Sequence, residues 1–340
     1  MATVYKSFLS DDVINTQNLL HESIPITGSI VSGTYADTNI KNYSHGRFQS
    51  VYDYNWLSSS SNHLYDITAG FSPNSSLSAS VGSVQESQKI QIYNQMAQVL
   101  VGHDVTGSIL EFDRDGDFIA GGDKIRECVF LSFSRLLVKD EIKKGTMRLV
   151  IGTGSQTTPF DGTLVTVGDY GAATEYRVNS PAGEYGILYT ASAATPGTGV
   201  GIVYYQAGVM VLTASVFGGG SAFSGSSTVE ETLVSSSIQT MADSVRRRWE
   251  DLDFNNTVEL NSTIYFCRIN HNEFNYSSNP TYLSASQIRV KETSLEAPKS
   301  YITTIGLYSS TNELLAVAKL SEPLKKTPSN ELTLRVRLDY

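Results

Sequence analysis

Five histidines and two cysteines are the residues in this 340-residue chain best suited to nucleophilic or metal chemistry, and none falls into a diagnostic spacing. Cys128 and Cys267 lie in separate strand-like runs with no CxxC or Cys/His ligand pattern, so they read as buried, reduced small hydrophobes. Cys267 and His271 share a face if their strand continues that far, but four residues of extended chain span roughly 13 Å. That is too far for a nucleophile–base pair. The acidic run D113-R-D-G-D117 places carboxylates at positions one, three and five of an EF-hand-like calcium loop. Position six is then Phe118 where that loop needs Gly, and position twelve is Lys124 where it needs Glu. A turn bent by Gly116, Gly121 and Gly122 is the expectation, with adventitious calcium binding by Asp113–Asp117 left open. The strings Gly197-Thr198-Gly199 and Gly218-Gly219-Gly220 lack both the GxGxxG spacing and the P-loop lysine, so they read as loop glycines. These residues predict no catalytic site, no cofactor and no dedicated metal site.

Composition narrows the partners. Charged residues make up 17% of the chain, below the roughly 25% of ordinary soluble domains. A polar surface poor in charge suits extended protein–protein contact, because fewer ions are desolvated on assembly. A net charge of −9 argues against nucleic acid as a partner. The basic cluster Arg246-Arg247-Arg248 reads as solvated or ion-paired on a helix. MATVYKSFLSDD lacks the basic and apolar regions of a secretory signal. The apolar stretch from Gly199 to Phe217 reads as two strands joined near Gln206-Ala207-Gly208, so no membrane segment is expected.

The elements that would position these groups follow from periodicity. A short helix is expected over Asp11–Leu20, with Ser10 as N-cap. A longer one is expected over about 84–101, with Ser83 and Glu86 at capping-box spacing, a stripe of Ile92, Met96, Val99 and Leu100, and Gly102 ending it. A second long helix is expected over about 228–250, with a Ser227/Glu230 capping box and the stripe Val234, Ile238, Met241, Val245, Trp249. The run Ile125–Lys139 reads as a central strand, apolar on both faces. Short runs separated by glycines over 146–225 suggest an inserted, Gly-rich β-domain of sandwich or barrel type, and 218–227 reads as a connector. The closing run E331-L-T-L-R-V-R-L-D-Y340 alternates strictly, with its leucines, Val336 and Tyr340 on one face. The expected fold is a β-dominated α+β protein with mixed or antiparallel sheets and two amphipathic helices. Residues 1–145 and 226–340 form a framework around the insert.

Two sets of strings carry a family resemblance. L20-H-E-S-I-P-I-T-G-S-I-V-S-G-T-Y35, N42-Y-S-H-G-R-F-Q-S-V-Y-D-Y54 and L57-S-S-S-S-N-H-L-Y-D-I67 lie near the start. E273-F-N-Y-S-S-N-P-T281, Y301-I-T-T-I-G-L-Y308 and N312-E-L-L-A-V-A-K-L320 lie near the end. Together they resemble a group of virion structural proteins of large tailed phages, including T4-like myoviruses of cyanobacteria. The resemblance covers both chain ends and the 84–101 helix but not residues 150–225. It implies a non-enzymatic virion subunit assembled in the host cytoplasm, in the tail or baseplate, whose partners are copies of itself and other virion proteins. A neck, head or capsid-associated position is the alternative within that class.

Phe274 and Tyr276 offer large apolar bodies beside the turn chemistry of Asn275, Ser277, Ser278 and Asn279-Pro280. Phe274, Asn275 and Tyr276, with the outward Arg335 and Arg337, are therefore the candidate assembly contacts, although a well-packed loop explains the first three equally. A receptor- or glycan-binding module is the reading from another class. It would make host-surface contact through 146–225, where Tyr170, Tyr176, Tyr185 and Tyr189 can stack on sugars or pack a core.

Overall fold

The structure, a computed structural model, describes residues 5–25, 37–80, 84–118, 121–190, 194–195, 197–218, 223–277, 280–285 and 287–340. It is β-dominated, with mainly antiparallel sheets and short helices. None of the sheets among the described residues closes into a barrel. The chain divides into two compact units, residues 20–258 and residues 1–19 with 259–340. Both chain ends lie in the smaller unit. The boundaries, however, fall at 19/20 and 258/259, and residues 146–225 belong to the larger unit together with 20–145. The glycine-rich texture that suggested an insert marks tight turns within one body. Gly171, Gly183 and Gly208, for example, all take positive φ.

The larger unit is organised around an eight-stranded antiparallel sheet. Its order is Arg177–Ser180, Gly183–Leu188, Gly201–Tyr204, Val209–Thr213, Glu127–Phe133, His63–Phe71, Gln49–Tyr52 and Ile40–Asn42. The strand Glu127–Phe133 is central, as its two apolar faces predict. Val129, Leu131 and Phe133 enter one core, and Cys128 and Phe130 the other. The first core is shared with Leu149, Ile151 and Val167 of the hairpin Arg148–Gly152/Leu164–Gly168, and with Trp249 and Leu252. The second is shared with Tyr93, Ala97 and Leu100 of the helix Val84–Leu100. The strand stops at Phe133, short of the expected Lys139. Arg135–Val138 turns into a single helical turn that packs Val138.

The helix Val84–Leu100 matches its expected span, and Gly102, at φ 94°, ends it with its N–H on the Ala97 carbonyl. Ser83 lies outside the described residues. Of the expected stripe, Ile92 and Leu100 are buried and Met96 is partly so, while Val99 is 67% exposed; Glu86, Lys89, Tyr93 and Ala97 complete the inward face. The expected 228–250 helix is broken into Val229–Ser235 and Ile238–Arg246. The serines 235–237 compete with the backbone for hydrogen bonds, and Ser237 Oγ caps the second helix by accepting from Thr240 N–H at 3.1 Å. The first capping box sits one residue later than expected, on Thr228 and Glu231. Ile238, Met241 and Val245 are buried as the periodicity required, but Trp249 begins the strand Trp249–Ile269. The hairpin Gly201–Tyr204/Val209–Thr213 turns at Tyr205–Gly208, where two strands were expected.

Near the start of the chain, Asp11–Leu20 is not helical. Ser10–Asp12 forms one 3-10 turn and Val13–Pro25 is a strand. β-branched Val13, Ile14 and Thr16 favour extension, and Asn15 and Gln17 bond Thr263 and Glu259 at 2.8 and 2.9 Å. The final strand, Leu332–Asp339, pairs antiparallel with Ser262–Ile269. Its alternation is as written in the sequence, with Val336 buried, its leucines half-buried and its arginines outward.

Candidate functional site

The acidic loop lies in a tight hairpin, Phe112–Asp113 paired with Lys124–Ile125. Ligand atoms of Asp113, Asp115 and Asp117 lie within 4.8 Å of one another. Asp113 Oδ1 accepts the Asp115 N–H at 3.2 Å, and Asp115 Oδ1 accepts the Asp117 N–H at 3.2 Å. Lys124, the residue that spoils the calcium pattern at position twelve, donates from Nζ to Asp113 Oδ2, and both side chains are buried. An ammonium therefore supplies the positive charge that a metal would bring. Burial alone would push the Asp113 carboxyl up, but hydrogen bonds from Asp115 and Lys124 hold it below the usual range. The same Asp113 hydrogen bond raises Asp115. Phe118 takes φ 57°, the left-handed conformation for which the calcium loop uses glycine.

The candidate assembly residues separate into fixed and free groups. Asn275 Nδ2 donates to the His271 carbonyl at 2.8 Å, and its Oδ1 accepts from the buried Lys326 Nζ at 2.8 Å. The same ammonium reaches the carbonyls of His271 at 3.0 Å and Thr327 at 2.8 Å. Asn275 is therefore part of the loop's own framework. Phe274 takes φ 53° and gives its carbonyl to Ser300 Oγ at 2.6 Å, leaving its ring exposed. Tyr276, also exposed, stands edge-on to Tyr282 with ring centres 5.3 Å apart. Ser278 and Asn279 lie outside the described residues. Arg335 projects outward opposite Phe266 in the pairing register. Arg337 is tethered, with Nε 2.7 Å from Asp339 Oδ1 and Nη2 3.1 Å from Ser262 Oγ.

Cys128 is fully buried and Cys267 partly so, and burial pushes both thiols up, away from the reactive thiolate. His271 lies beyond the end of the strand that carries Cys267 and faces Glu331 at 3.3 Å. In the arginine cluster Arg247 is exposed and Arg246 is ion-paired, as expected, whereas Arg248 is buried against backbone carbonyls. Arg246 bonds Asp243 at 2.7 Å, while Arg248 donates to the carbonyls of Gly154 and Phe223 and lies 4.7 Å over the Phe223 ring. Of the four tyrosines proposed for sugar stacking, Tyr185 is fully buried, with its hydroxyl on the Gly116 carbonyl and Asn179, and Tyr189 is nearly so. Tyr176 is exposed and Tyr170 half-exposed.

One polar constellation was not foreseen. Lys41, Ser50, Asp66 and Ser132 are successive cross-strand partners on one sheet face. Ser50 Oγ donates to Asp66 Oδ1 at 2.5 Å, His63 Nε2 lies 2.9 Å from that oxygen, and Tyr43 Oη lies 3.2 Å from Ser50. Serine and imidazole converge on one carboxylate oxygen and make no bond to each other, so this is not a nucleophile–base arrangement. The polar interruptions in otherwise apolar strands were the available signal, but only register aligns them.

No protein-family model, curated protein or solved structure matches this chain.

Proposed function

We propose that the chain is a structural subunit of a tailed-phage particle, sited in the tail or baseplate, working through surfaces buried against copies of itself and other virion proteins. The observation that carries this reading is the hairpin Ser300–Tyr308/Leu314–Lys326 in the smaller unit, a two-stranded sheet with no third strand among the described residues. Tyr301, Tyr308, Leu314, Leu315 and Val317 on it are exposed, Leu315 by 69%, and Leu307 is its one buried large apolar side chain. Two-stranded hairpins are marginal alone in water, and outward leucines gain stability only when something covers them. Two of the resemblance strings, Tyr301–Tyr308 and Asn312–Leu320, are the same hairpin.

Sedimentation of the purified chain tests the reading. Concentration-dependent oligomers are expected, abolished by Leu315→Ser with Val317→Thr at unchanged melting temperature. A monomer at every concentration, together with absence from mass spectra of purified virions, defeats the proposal. A neck, head or capsid-associated position differs only in location, which antibody-labelled electron microscopy of particles distinguishes.

A further inference from the structure

A small cleft in the larger unit, with a volume of about 70 Å³, is lined by Asp115, Tyr170, Glu175, Arg177, Ile187 and Tyr189. Its construction is specific. Gly168 pairs with Tyr189 through two backbone hydrogen bonds of 3.0 and 2.9 Å, and the ring of Tyr170 folds over Gly168 where a Cβ would sit 2.9 Å from it. Gly171, at φ 81°, then turns the chain into the helical turn Ala172–Glu175, which sets Glu175 on the rim. Arg177 opens the next strand, its stem against Gly116 of the acidic loop. Ile187 contributes an apolar lining residue.

The functional groups here are not consumed by the fold. Arg177 and Glu175 make no ion pair and no side-chain hydrogen bond among the described residues, nor do the hydroxyls of Tyr170 and Tyr189. Asp115 spends a carboxylate oxygen on the Asp117 N–H, whereas the Arg177 guanidinium and the Glu175 carboxylate keep their donors and acceptors for a ligand. The charge sum of one arginine and two carboxylates disfavours anionic ligands such as phosphates. The small apolar lining disfavours a purely hydrophobic one. What matches is a neutral molecule rich in adjacent hydroxyls with one apolar C–H face: carboxylate and guanidinium bridge vicinal hydroxyls, and a phenol ring meets the C–H face.

We infer that this cleft binds the terminal neutral pyranose of a glycan, seating part of one ring and leaving the rest in solvent. The inference does not depend on where the chain assembles, and it gives residues 146–225 a ligand contact whether or not the subunit is virion-borne. Affinity for a single sugar is expected on the order of 1–10 mM, as befits a small cleft that leaves most of the ring in solvent.

Saturation-transfer NMR on the full chain tests it with methyl α-D-glucopyranoside, methyl α-D-mannopyranoside, methyl β-D-galactopyranoside and N-acetylglucosamine as neutral probes, and N-acetylneuraminic acid as the acidic one. Transfer to at least one neutral probe is expected, weakened about tenfold in both Arg177→Ala and Glu175→Gln. Both side chains are exposed, so circular dichroism melts of these variants should match the parent. Silence with all four neutral probes, transfer that both variants leave intact, or a preference for the acidic sugar overturns the inference.

Discussion

Tyr205 Oη donates a 3.0 Å hydrogen bond to Asp169 Oδ2, inside a unit where Asp169 is only 2% exposed. The same carboxyl accepts the backbone N–H of Gly145 at 2.7 Å and of Met147 at 3.0 Å, tying the turn before the strand Arg148–Gly152 to the end of Leu164–Gly168. Gly186 makes this possible, because a Cβ there would overlap the Tyr205 hydroxyl.

Burial pushes the Asp169 carboxyl up to about 6, its hydrogen bonds pulling the other way without reversing the effect. In the unfolded chain it titrates near ~3.9, so between about 4 and 6 the native state holds a proton that the unfolded chain has released. Its contribution to stability is therefore complete below pH ~4 and lost as pH rises through ~6. Urea melts of wild type and Asp169→Asn should show their stability difference falling by on the order of 2 kcal/mol from pH 4 to 7. A difference that grows over that range contradicts the account.

Gly186→Ala displaces the Tyr205 hydroxyl. A loss of about 2–4 kcal/mol is expected from overpacking and the broken bond, and because that bond pulls the Asp169 carboxyl down while burial pushes it up, the Asp169-linked pH dependence should persist or steepen. Chemical denaturation at pH 4 and 7 reads both at once.

Lys89 is fully buried and caps the C-terminal end of the helix Val229–Ser235, its Nζ donating to the carbonyls of Leu233 at 2.5 Å, Val234 at 3.2 Å and Ser236 at 2.5 Å. Lys89→Met strips the donor from those carbonyls and should cost about 1–3 kcal/mol at pH 7. Burial brings the ammonium down to about 8, with Glu86 opposing. The penalty for burying the cation is thus relieved as pH rises from ~8 towards 10.5, and the wild type should gain on the Met variant over that window. Paired thermal melts at pH 7 and 9.5 check the sign.

Lys124→Ala leaves the Asp113 carboxylate buried without its ammonium and should destabilise by about 3 kcal/mol. Millimolar calcium should recover part of the lost melting temperature in the variant and leave the wild type unmoved, since only the variant has a vacant charge position between its aspartates. Differential scanning calorimetry with and without calcium decides it.

Asn275→Ala removes one of three oxygens around the buried Lys326 ammonium and should cost about 1–3 kcal/mol, whereas Tyr276→Ala, with an exposed ring, should cost less. Equal losses would return Asn275 to the role of a surface contact.

Legibility follows the range of the interaction involved. The closing strand, the central strand and the hairpin at Gln206–Gly208 could be read because a period of two and a turn glycine are local properties of the backbone. Asp11–Leu20 misled because an N-cap serine and a few apolar residues resemble a helix start, while the partner strand that extends the segment lies some 250 residues away. The 228–250 stripe named Ile238, Met241, Val245 and Trp249 correctly as buried, but Val234 is half-buried and the helix is not continuous, because three serines break it without disturbing the spacing beyond them. The buried lysines and arginines resisted reading for the opposite reason. A cation is expected outside unless something inside satisfies it, and carbonyls that satisfy Lys89, Arg248 and Lys326 come from segments remote in sequence.

By itself, then, the sequence determined the β-dominated class, the alternation of the strands, the place of the helix Val84–Leu100 and the flaw in the acidic loop at Lys124, since each is set by neighbours within a few residues. Tertiary structure alone decided that 146–225 shares a body with 20–145, that Lys41, Ser50, Asp66 and Ser132 line up in one row, and that Arg177, Glu175 and two tyrosines stand around one cleft. Strand register and the packing of distant turns fix these arrangements, and a one-residue slip of a strand would send its member of the row to the other face.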